Sequence, residues 1–194
     1  DVYSDPGNFE TKRNEFNRNV LLQENGNLYL IGEGHTKNGQ FPFIDAFNIS
    51  TLKTNRLYQS AYTDKIENIL SIEDIKKGDA MIMLQSKNEY PNYYFRNLKN
   101  KKVSPITTFK SPFESIKNVH KEVIKYKRKD GVELSGTLYL PAGYDKTKKE
   151  KLPLLIWAYP EEFKDKNSAG QSTKNPNEFT FPNYGSFVYW VTRG

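Results

Sequence analysis

The sequence predicts a protein that is built mainly from β-strands and contains little helix. Aromatic residues make up 14% of the 194 residues, with 13 Tyr and 12 Phe, and such side chains favour strands, where they bury large areas. Short β-branched and aromatic runs recur at a spacing of about ten to fifteen residues, which is typical of meandering sheets. Asn, Gly, Pro and Lys clusters separate these runs and predict tight turns.

The first half of the chain holds most of the predicted strands. We predict antiparallel strands at 28–34, 41–49, 55–62, 68–75, 80–86, 93–98 and 103–109. Short turns join the last four of these runs, so we expect the stretch from Glu67 to Phe109 to form one four-stranded sheet. A propeller blade and part of a β-sandwich both have this pattern, and the absence of a strict repeat leaves both open.

The pattern changes at 109–118, where Pro, Ser and polar residues interrupt the succession of strands. This change predicts a domain boundary. We therefore expect residues 1–112 to belong to one domain and residues 113–194 to a second one.

The second domain is predicted to begin with a β-hairpin. Its two strands, 121–129 and 132–140, lie on either side of Asp130 and Gly131. Asp-Gly favours a two-residue turn in which both residues have positive φ.

Two later segments extend this predicted domain. The run LPLLIWAY at 152–159 is continuously apolar, which predicts a strand that is buried on both faces. The run YGSFVYWVTRG at 184–194 has helical spacing and ends on Gly194, a residue that often caps helices, although its β-branched and aromatic content leaves a strand open. A second αβ unit is expected to begin here, so the chain is expected to be truncated.

Composition narrows the possible partners. The chain has 29 Lys and Arg against 23 Asp and Glu, a net charge of +6, and much of the excess lies in the Lys-rich turns at 99–102 and 146–151. Because no basic helix or RNA-binding motif accompanies these turns, we predict no nucleic-acid partner. No apolar run reaches the length of a membrane span. The aromatic run at 90–95 is typical of packed strands, with stacking on bases or sugars as the alternative.

Residues for metal binding and nucleophilic catalysis are largely missing. With 0 Cys, the chain has no disulfide, no thiolate metal site and no Cys nucleophile. The two His residues, His35 and His120, are predicted to lie at the surface or in turns, so no metal site and no cofactor are expected. Ser168 and Ser186 lack the G-x-S-x-G spacing of a hydrolase nucleophile.

Two stretches of the second half resemble a known enzyme family. KRKDGVELSGTLYLPAGYD and AYPEEFKDKNSAGQ, together with NPNEF, are similar to the prolyl oligopeptidase family of serine peptidases, in particular its glutamyl endopeptidase and dipeptidyl- or acylaminoacyl-peptidase members. The resemblance implies that 1–112 is the last blade or blades of a β-propeller. It implies that 113–194 holds the first strands of an α/β-hydrolase domain and ends before the nucleophile.

The resemblance also implies a function for Tyr159, at the end of the run LPLLIWAY. In this family a Tyr hydroxyl at the matching position donates to the oxyanion of the tetrahedral intermediate, and loss of such a donor typically costs about 10²–10³ in rate. A strand-end Tyr with a purely local hydrogen bond is the alternative. Glu161 and Glu162, which follow it, are predicted to be solvated loop residues, since the paired glutamates of the dipeptidyl peptidases lie on a propeller insertion.

The resemblance implies that the parent protein hydrolyses short peptides through a Ser-Asp-His triad outside this chain, and that the chain alone is inactive. A stand-alone β-rich module that binds protein or glycan, without catalysis, is the alternative. Peptides are therefore the expected substrate of the parent, and unpaired sheet edges are expected to favour self-association. The compartment is undecided, with the periplasm or secretion favoured over the cytoplasm.

Overall fold

The computed structural model describes residues 2–158 and 173–193, and in these residues the chain is mainly β with little helix, as predicted. Helical structure is confined to short 3-10 segments at Val2–Ser4, Glu114–Ile116, Lys146–Lys148 and Phe187–Arg193. The first group of strands is β1 (Asn8–Phe9), β2 (Thr11–Arg13), β3 (Asn19–Leu21), β4 (Gln23–Glu24), β5 (Asn27–Gly32), β6 (His35–Thr36), β7 (Gly39–Gln40), β8 (Phe43–Asn48) and β9 (Thr54–Gln59). The second group is β10 (Ile66–Asp74), β11 (Asp79–Gln85), β12 (Asn92–Asn97), β13 (Val103–Pro105), β14 (His120–Lys127) and β15 (Glu133–Leu140).

The first large sheet has five antiparallel strands in the order β1-β5-β8-β9, with β4 also paired to β5. Asn25 and Gly26 join β4 to β5, with φ of 52° and 75°. This is the two-residue turn with positive φ at both positions that suits the twist of a hairpin. Four short strands before residue 28 were not predicted as separate elements, because β1 to β4 are only 2 or 3 residues long.

The second large sheet has four strands in chain order, β10-β11-β12-β13. Its boundaries at Ile66 and Pro105 match the four-stranded unit that the sequence predicts between Glu67 and Phe109. Successive strands pair because each connection is a short turn, such as the one between β10 and β11 that contains Gly78 at φ 82°.

The core lies between these two sheets. The first sheet contributes Tyr29, Ile44 and Tyr58, and the second contributes Ile72 and Ala80. Ile44 and Ala80 are fully buried, at 0% exposure. Alternation along each strand sends every second side chain to this shared face, which is how two half-polar sheets form one apolar interior.

A buried polar network crosses the same interface. Glu67 on β10 and Arg96 on β12 form an ion pair over the intervening β11, with 2.6 Å between Arg96 Nε and Glu67 Oε1 and with side chains that are 0% and 6% exposed. The Tyr58 hydroxyl of the first sheet donates to Glu67 Oε2 at 2.7 Å, and Arg96 Nη2 donates to the Tyr62 hydroxyl at 3.3 Å. Arg96 Nη1 donates to the Lys101 carbonyl at 2.7 Å, so the buried charges are hydrogen-bonded throughout.

The network shifts the pKa values of Tyr58 and Arg96. Burial raises the pKa of Tyr58, and the hydrogen bond to Glu67 raises it further. Burial disfavours the charged form of Arg96, but the charge of Glu67 and the hydroxyl of Tyr62 outweigh it, so that the pKa of Arg96 is raised. The Arg96 guanidinium therefore keeps its charge within the buried pair.

Strands β14 and β15 form the predicted hairpin, with His120 opposite Leu140 and Lys127 opposite Glu133. The predicted two-residue turn is wrong. Arg128 N donates to the Val132 carbonyl at 2.9 Å, which closes a longer loop in which Gly131 alone has positive φ, at 87°. A three-residue loop of this kind needs only its last residue in the left-handed region, and Gly131 supplies it. The Asp130 carboxylate accepts hydrogen bonds from the Arg128 guanidinium at 2.5 Å and from Val132 N at 3.3 Å.

The predicted buried strand at 152–159 is also wrong for the part that the structure describes. Residues 152–158 have no strand partner, and Ile156 is 77% exposed. A strand needs a neighbouring strand to pair its backbone, and β15 pairs with β14 alone among the described strands. Trp157 stacks on Phe187 with ring centroids 5.5 Å apart, and this contact ties the segment to the 3-10 helix Phe187–Arg193.

That 3-10 helix confirms the helical alternative for the last segment, in a tighter form than an α-helix. Val188, which is buried, anchors it. Gly194, the expected cap, lies outside the described residues. The predicted boundary at 112/113 falls in the irregular stretch that follows β13, and this division stays a prediction.

Candidate functional site

Tyr159, the predicted oxyanion donor, lies outside the described residues, as do Glu161, Glu162 and Ser168. Their predicted functions therefore stay predictions. The described chain stops at Ala158 on one side of this gap and continues at Thr173 on the other. Residues 152–158 and 173–181 are the described segments that flank this gap in the sequence.

Ser186 is engaged in local structure, as its lack of nucleophile spacing predicts. Its Oγ accepts a hydrogen bond from Val188 N at 3.4 Å, a short-range contact typical of a helix start. His35 and His120 each pair with an acidic residue two positions away along the chain. His35 Nε2 lies 2.7 Å from Glu33 Oε2, and His120 Nε2 lies 3.0 Å from a carboxylate oxygen of Glu122.

The pair of His120 and Glu122 extends to Lys146, whose Nζ lies 2.5 Å from the same Glu122 oxygen. Hydrogen bonds from Lys146 and His120 lower the pKa of Glu122. This is a surface ion-pair cluster rather than a catalytic triad. Within the described residues, no group of three His, Cys, Asp or Glu side chains is placed to hold a metal ion.

The described segment after the gap, residues 173–181, is here called the strap because it joins the sheets to the hairpin. Three of its groups form hydrogen bonds with the part of the chain that folds into the sheets. Asn175 Nδ2 donates to Gln40 Oε1 at 3.3 Å, Asn177 Nδ2 donates to the Thr63 carbonyl at 2.9 Å, and Phe179 N donates to Gln85 Oε1 at 2.9 Å.

The strap is bound by the hairpin as well. Lys121 Nζ, on β14, donates to the Glu178 carbonyl at 2.6 Å. On β15, the Tyr139 hydroxyl lies 3.4 Å from Thr180 Oγ1. Neighbouring strap residues therefore contact the second sheet through Gln85 and the hairpin through Lys121, which fixes the hairpin against the sheets.

An aromatic cluster reinforces this junction. Tyr90 packs edge-on against Phe179 and Phe181, with ring centroids 5.3 Å and 5.8 Å apart. Phe113, from the predicted boundary segment, packs against the same two rings at 6.3 Å and 6.4 Å. Packing of Tyr90 is what the sequence favours for the run 90–95, and edge-on pairs of this kind add about 0.5–1.5 kcal/mol each beyond their buried area.

A cavity of about 560 Å³ opens beside the cluster. Its walls come from the end of the second sheet, the boundary segment, the hairpin and the strap, and include Tyr90, Phe113, Lys121, Tyr139 and Phe179. The cavity therefore lies at the junction between the two predicted domains.

Sequence reasoning missed the strap and the cavity. KNPNEF at 174–179 carries only turn residues and one aromatic, and nothing in its pattern reveals partners more than 90 positions away, such as Gln85. The available signal is weak: Phe179 and Phe181 alternate around Thr180, which indicates an extended segment with one apolar face.

Comparisons with known proteins connect the chain to peptidases. No family model matches it. The whole chain, 100% of its length, aligns with proteins named "Probable glutamyl endopeptidase, chloroplastic" from Oryza sativa subsp. japonica, at 38% identity over 210 residues, and from Arabidopsis thaliana, at 37% identity over 207 residues. The chain spans 22% of the length of each of these relatives.

Among solved structures, an AtxE2 isopeptidase variant with Astexin3-dC4 bound matches over 69% of the chain and 22% of its own length, with a TM-score of 0.38 and 14% identity. The apo form of that isopeptidase gives a TM-score of 0.37, also at 14% identity. The sequence relationship to peptidases extends over the whole chain. Within the described residues, no helix is long and apolar enough to cross a membrane.

Proposed function

We propose that the chain is part of a serine-type peptidase of the prolyl oligopeptidase family. The observation that carries this proposal is the 38% identity over the whole chain to a protein named as a glutamyl endopeptidase. Residues 1–112 are then the last part of a β-propeller, and residues 113–194 are the first part of an α/β-hydrolase domain. The nucleophile, the acid and the base lie beyond Gly194.

Three structural features support this division. The second sheet has four antiparallel strands in chain order, which is the construction of one propeller blade. The first sheet packs face to face with it through Ile44 and Ala80, as neighbouring blades do. The hairpin of β14 and β15 follows after an irregular segment and matches the start of the catalytic domain in this family.

Tyr159 is the residue to which we assign chemistry. The nucleophilic Ser attacks the scissile carbonyl, the carbonyl oxygen becomes negatively charged, and the Tyr159 hydroxyl and a backbone N–H donate to it. The leaving amine departs, and water then hydrolyses the acyl-enzyme. The hydroxyl is effective because it meets the charge only as the charge develops, so it lowers the barrier without tightening substrate binding equally.

For specificity we propose cleavage after glutamate, since both relatives carry that activity in their names. The test uses two peptides that differ only in Glu or Gln at the residue before the scissile bond, assayed with the complete natural polypeptide. A kcat/KM ratio of about 10-fold or more in favour of Glu, or about 1.4 kcal/mol, supports the proposal. Equal rates contradict the glutamate preference and leave the peptidase activity intact.

The deciding experiment for the family is the reading frame downstream of residue 194 together with covalent labelling. We expect a G-x-S-x-G followed by Asp and His, and labelling of that Ser by a fluorophosphonate. A stop codon directly after residue 194 would exclude this reading and favour the non-catalytic binding module. The 194 residues alone should not hydrolyse peptides or react with the probe.

Tyr159→Phe in the complete polypeptide tests the oxyanion assignment. We expect kcat/KM to fall about 10²–10³-fold, because one donor to the oxyanion is lost. Tyr144→Phe is a matched control, since its hydroxyl donates to the Glu150 carbonyl at 2.6 Å in a surface loop. A Tyr159→Phe variant within about twofold of the parent enzyme would show that the assignment is wrong. Export to the periplasm or the exterior stays our expectation for the compartment, and fractionation tests it.

A further inference from the structure

We propose that the junction cavity binds a carboxylate that is attached to an aromatic or otherwise apolar body, with Lys121 as the cationic anchor. The carboxylate belongs either to a small organic acid or to the free end of a peptide. The proposal goes beyond the proposed peptidase function, and one buried cation, an aromatic wall and the charge of the rim support it.

Lys121 is the central observation. It lines the cavity and is only 9% exposed. Within the described residues, its Nζ donates one hydrogen bond, to the Glu178 carbonyl at 2.6 Å. Among the described residues no carboxylate lies within ion-pair distance of Lys121, although an ammonium group has three protons to donate. Buried charges are normally paired, so within the described residues Lys121 has room for a carboxylate at hydrogen-bond distance.

The direction of the pKa shift of Lys121 agrees with its burial. Burial lowers the pKa of Lys121, and the charge of Glu178 offsets the effect in part. A ligand carboxylate within hydrogen-bond distance of Nζ would favour the charged ammonium and offset the cost of its burial. The ion pair with the ligand is therefore the expected source of the binding energy.

The walls suit an apolar body. Tyr90, Phe113, Tyr139 and Phe179 line the cavity, and Val188 adds an aliphatic side chain. A volume of about 560 Å³ falls within the range of roughly 300–1,000 Å³ that is typical of small-molecule sites. An aromatic wall with one precisely placed charged group is the usual composition of such sites.

The rim favours an anion. The lining lysines outnumber the lining carboxylates, with Lys65, Lys87, Lys110, Lys117 and Lys121 against Glu89 and Glu114. Lys65 and Lys117 pair with the two glutamates, at 3.5 Å and 3.4 Å. Lys87 and Lys110 form no ion pair with the described residues, so the mouth of the cavity keeps a positive charge that attracts anions at low salt.

The first test uses the complete natural polypeptide, with phenylpropionate and its uncharged amide as probes. Calorimetry should show the acid binding at least about 10-fold more tightly than the amide, because only the acid supplies a charged partner for Lys121. Peptides that end in Phe, with a free or an amidated carboxyl end, distinguish the two sources of the carboxylate. Equal affinity of acid and amide in both pairs would overturn the proposal.

Two variants locate the site. Lys121→Met keeps the length of the side chain and should abolish the preference for the acid, whereas Lys117→Met, at the exposed rim, should keep it. Thermal unfolding shows whether each variant is folded. If Lys121→Met does not fold, a diazirine analogue of phenylpropionate, photolysed on the native protein, should label peptides that contain Phe113 or Tyr90. Labelling elsewhere overturns the proposal.

A fluorophosphonate-treated sample separates this site from the peptidase site. We expect the inhibited protein to bind phenylpropionate with unchanged affinity. Loss of binding after inhibition would place the acid in the active site and overturn the proposal. Failure of the fluorophosphonate to label the protein contradicts the proposed peptidase function instead, and leaves the result of the acid and amide comparison standing.

Discussion

The sheet region, from β1 to β13, and the hairpin region, from β14 onward, place their apolar side chains very differently. In the sheet region, Ile44 is fully buried between two sheets. In the hairpin region, Ile156 is 77% exposed, although the two residues are chemically identical. The difference shows that Ile44 belongs to a core formed by two packed sheets, whereas the apolar run at 152–158 has no sheet neighbour among the described residues. Four predictions test this comparison, beginning with the largest expected effect.

The buried ion pair gives the largest expected effect. Glu67→Gln leaves the Arg96 guanidinium buried without its counter-charge and should destabilise the sheet region by about 3–5 kcal/mol, measured by urea unfolding. Glu133→Gln, in the exposed pair with Lys127 at 3.8 Å, is the matched control and should leave the midpoint unchanged. A small effect of Glu67→Gln would mean that water enters the interface between the sheets.

The two isoleucines give the next prediction. Ile44→Ala should cost about 2–5 kcal/mol, because it leaves a cavity between the sheets. In the 194-residue chain, Ile156→Ala should change the stability by less than about 0.5 kcal/mol, since the side chain is exposed. A loss of more than about 2 kcal/mol on Ile156→Ala would contradict the exposure of this run.

The strap, which joins the two regions, should respond more weakly. Gln85→Leu removes the acceptor of the buried Phe179 N–H and should cost about 1–3 kcal/mol. Hydrogen exchange should accelerate in residues 173–181 before it does so in β10 to β12. Gln59→Leu is the control, since its 3.4 Å hydrogen bond to the Phe41 carbonyl is exposed. Uniform acceleration in both sheets would show that the strap belongs to the sheet region rather than joining it to the hairpin.

The smallest effect concerns the loop of the hairpin. The Arg128 guanidinium lowers the pKa of Asp130 to about 2, so carboxyl titration by NMR should show a midpoint near that value. Because the pKa of Asp130 in the folded protein lies below its ordinary value of 3.8, the stabilising contribution is present above pH 3.8 and is lost as the pH falls towards 2. Arg128→Ala should move the midpoint up towards 3.8, and an unchanged midpoint would contradict the ion pair.

Local patterns predicted the sheets better than they predicted the junction. The strands from Glu67 to Phe109 follow from runs and turns that are close in sequence, and the four-stranded sheet is confirmed. The strap depends on contacts such as the one between Phe179 and Gln85, which are 94 positions apart and leave no periodic signal. The two-residue turn predicted at Asp130 and Gly131 was wrong because the strands close between Arg128 and Val132, which leaves a three-residue loop. The proposed oxyanion function of Tyr159 depends on the family resemblance rather than on a sequence pattern, since a Tyr at the end of an apolar run is common.

The ion pair between Glu67 and Arg96 also affects how the second sheet assembles. The two residues lie on one face of the sheet and reach each other across β11. If β12 slipped by one residue during folding, Arg96 would turn to the opposite face, and Glu67 would be left as an unpaired charge in the interior. Such an out-of-register sheet would be less stable by several kcal/mol, because it leaves a buried charge unpaired. The ion pair therefore favours one register of β10, β11 and β12 over the alternatives.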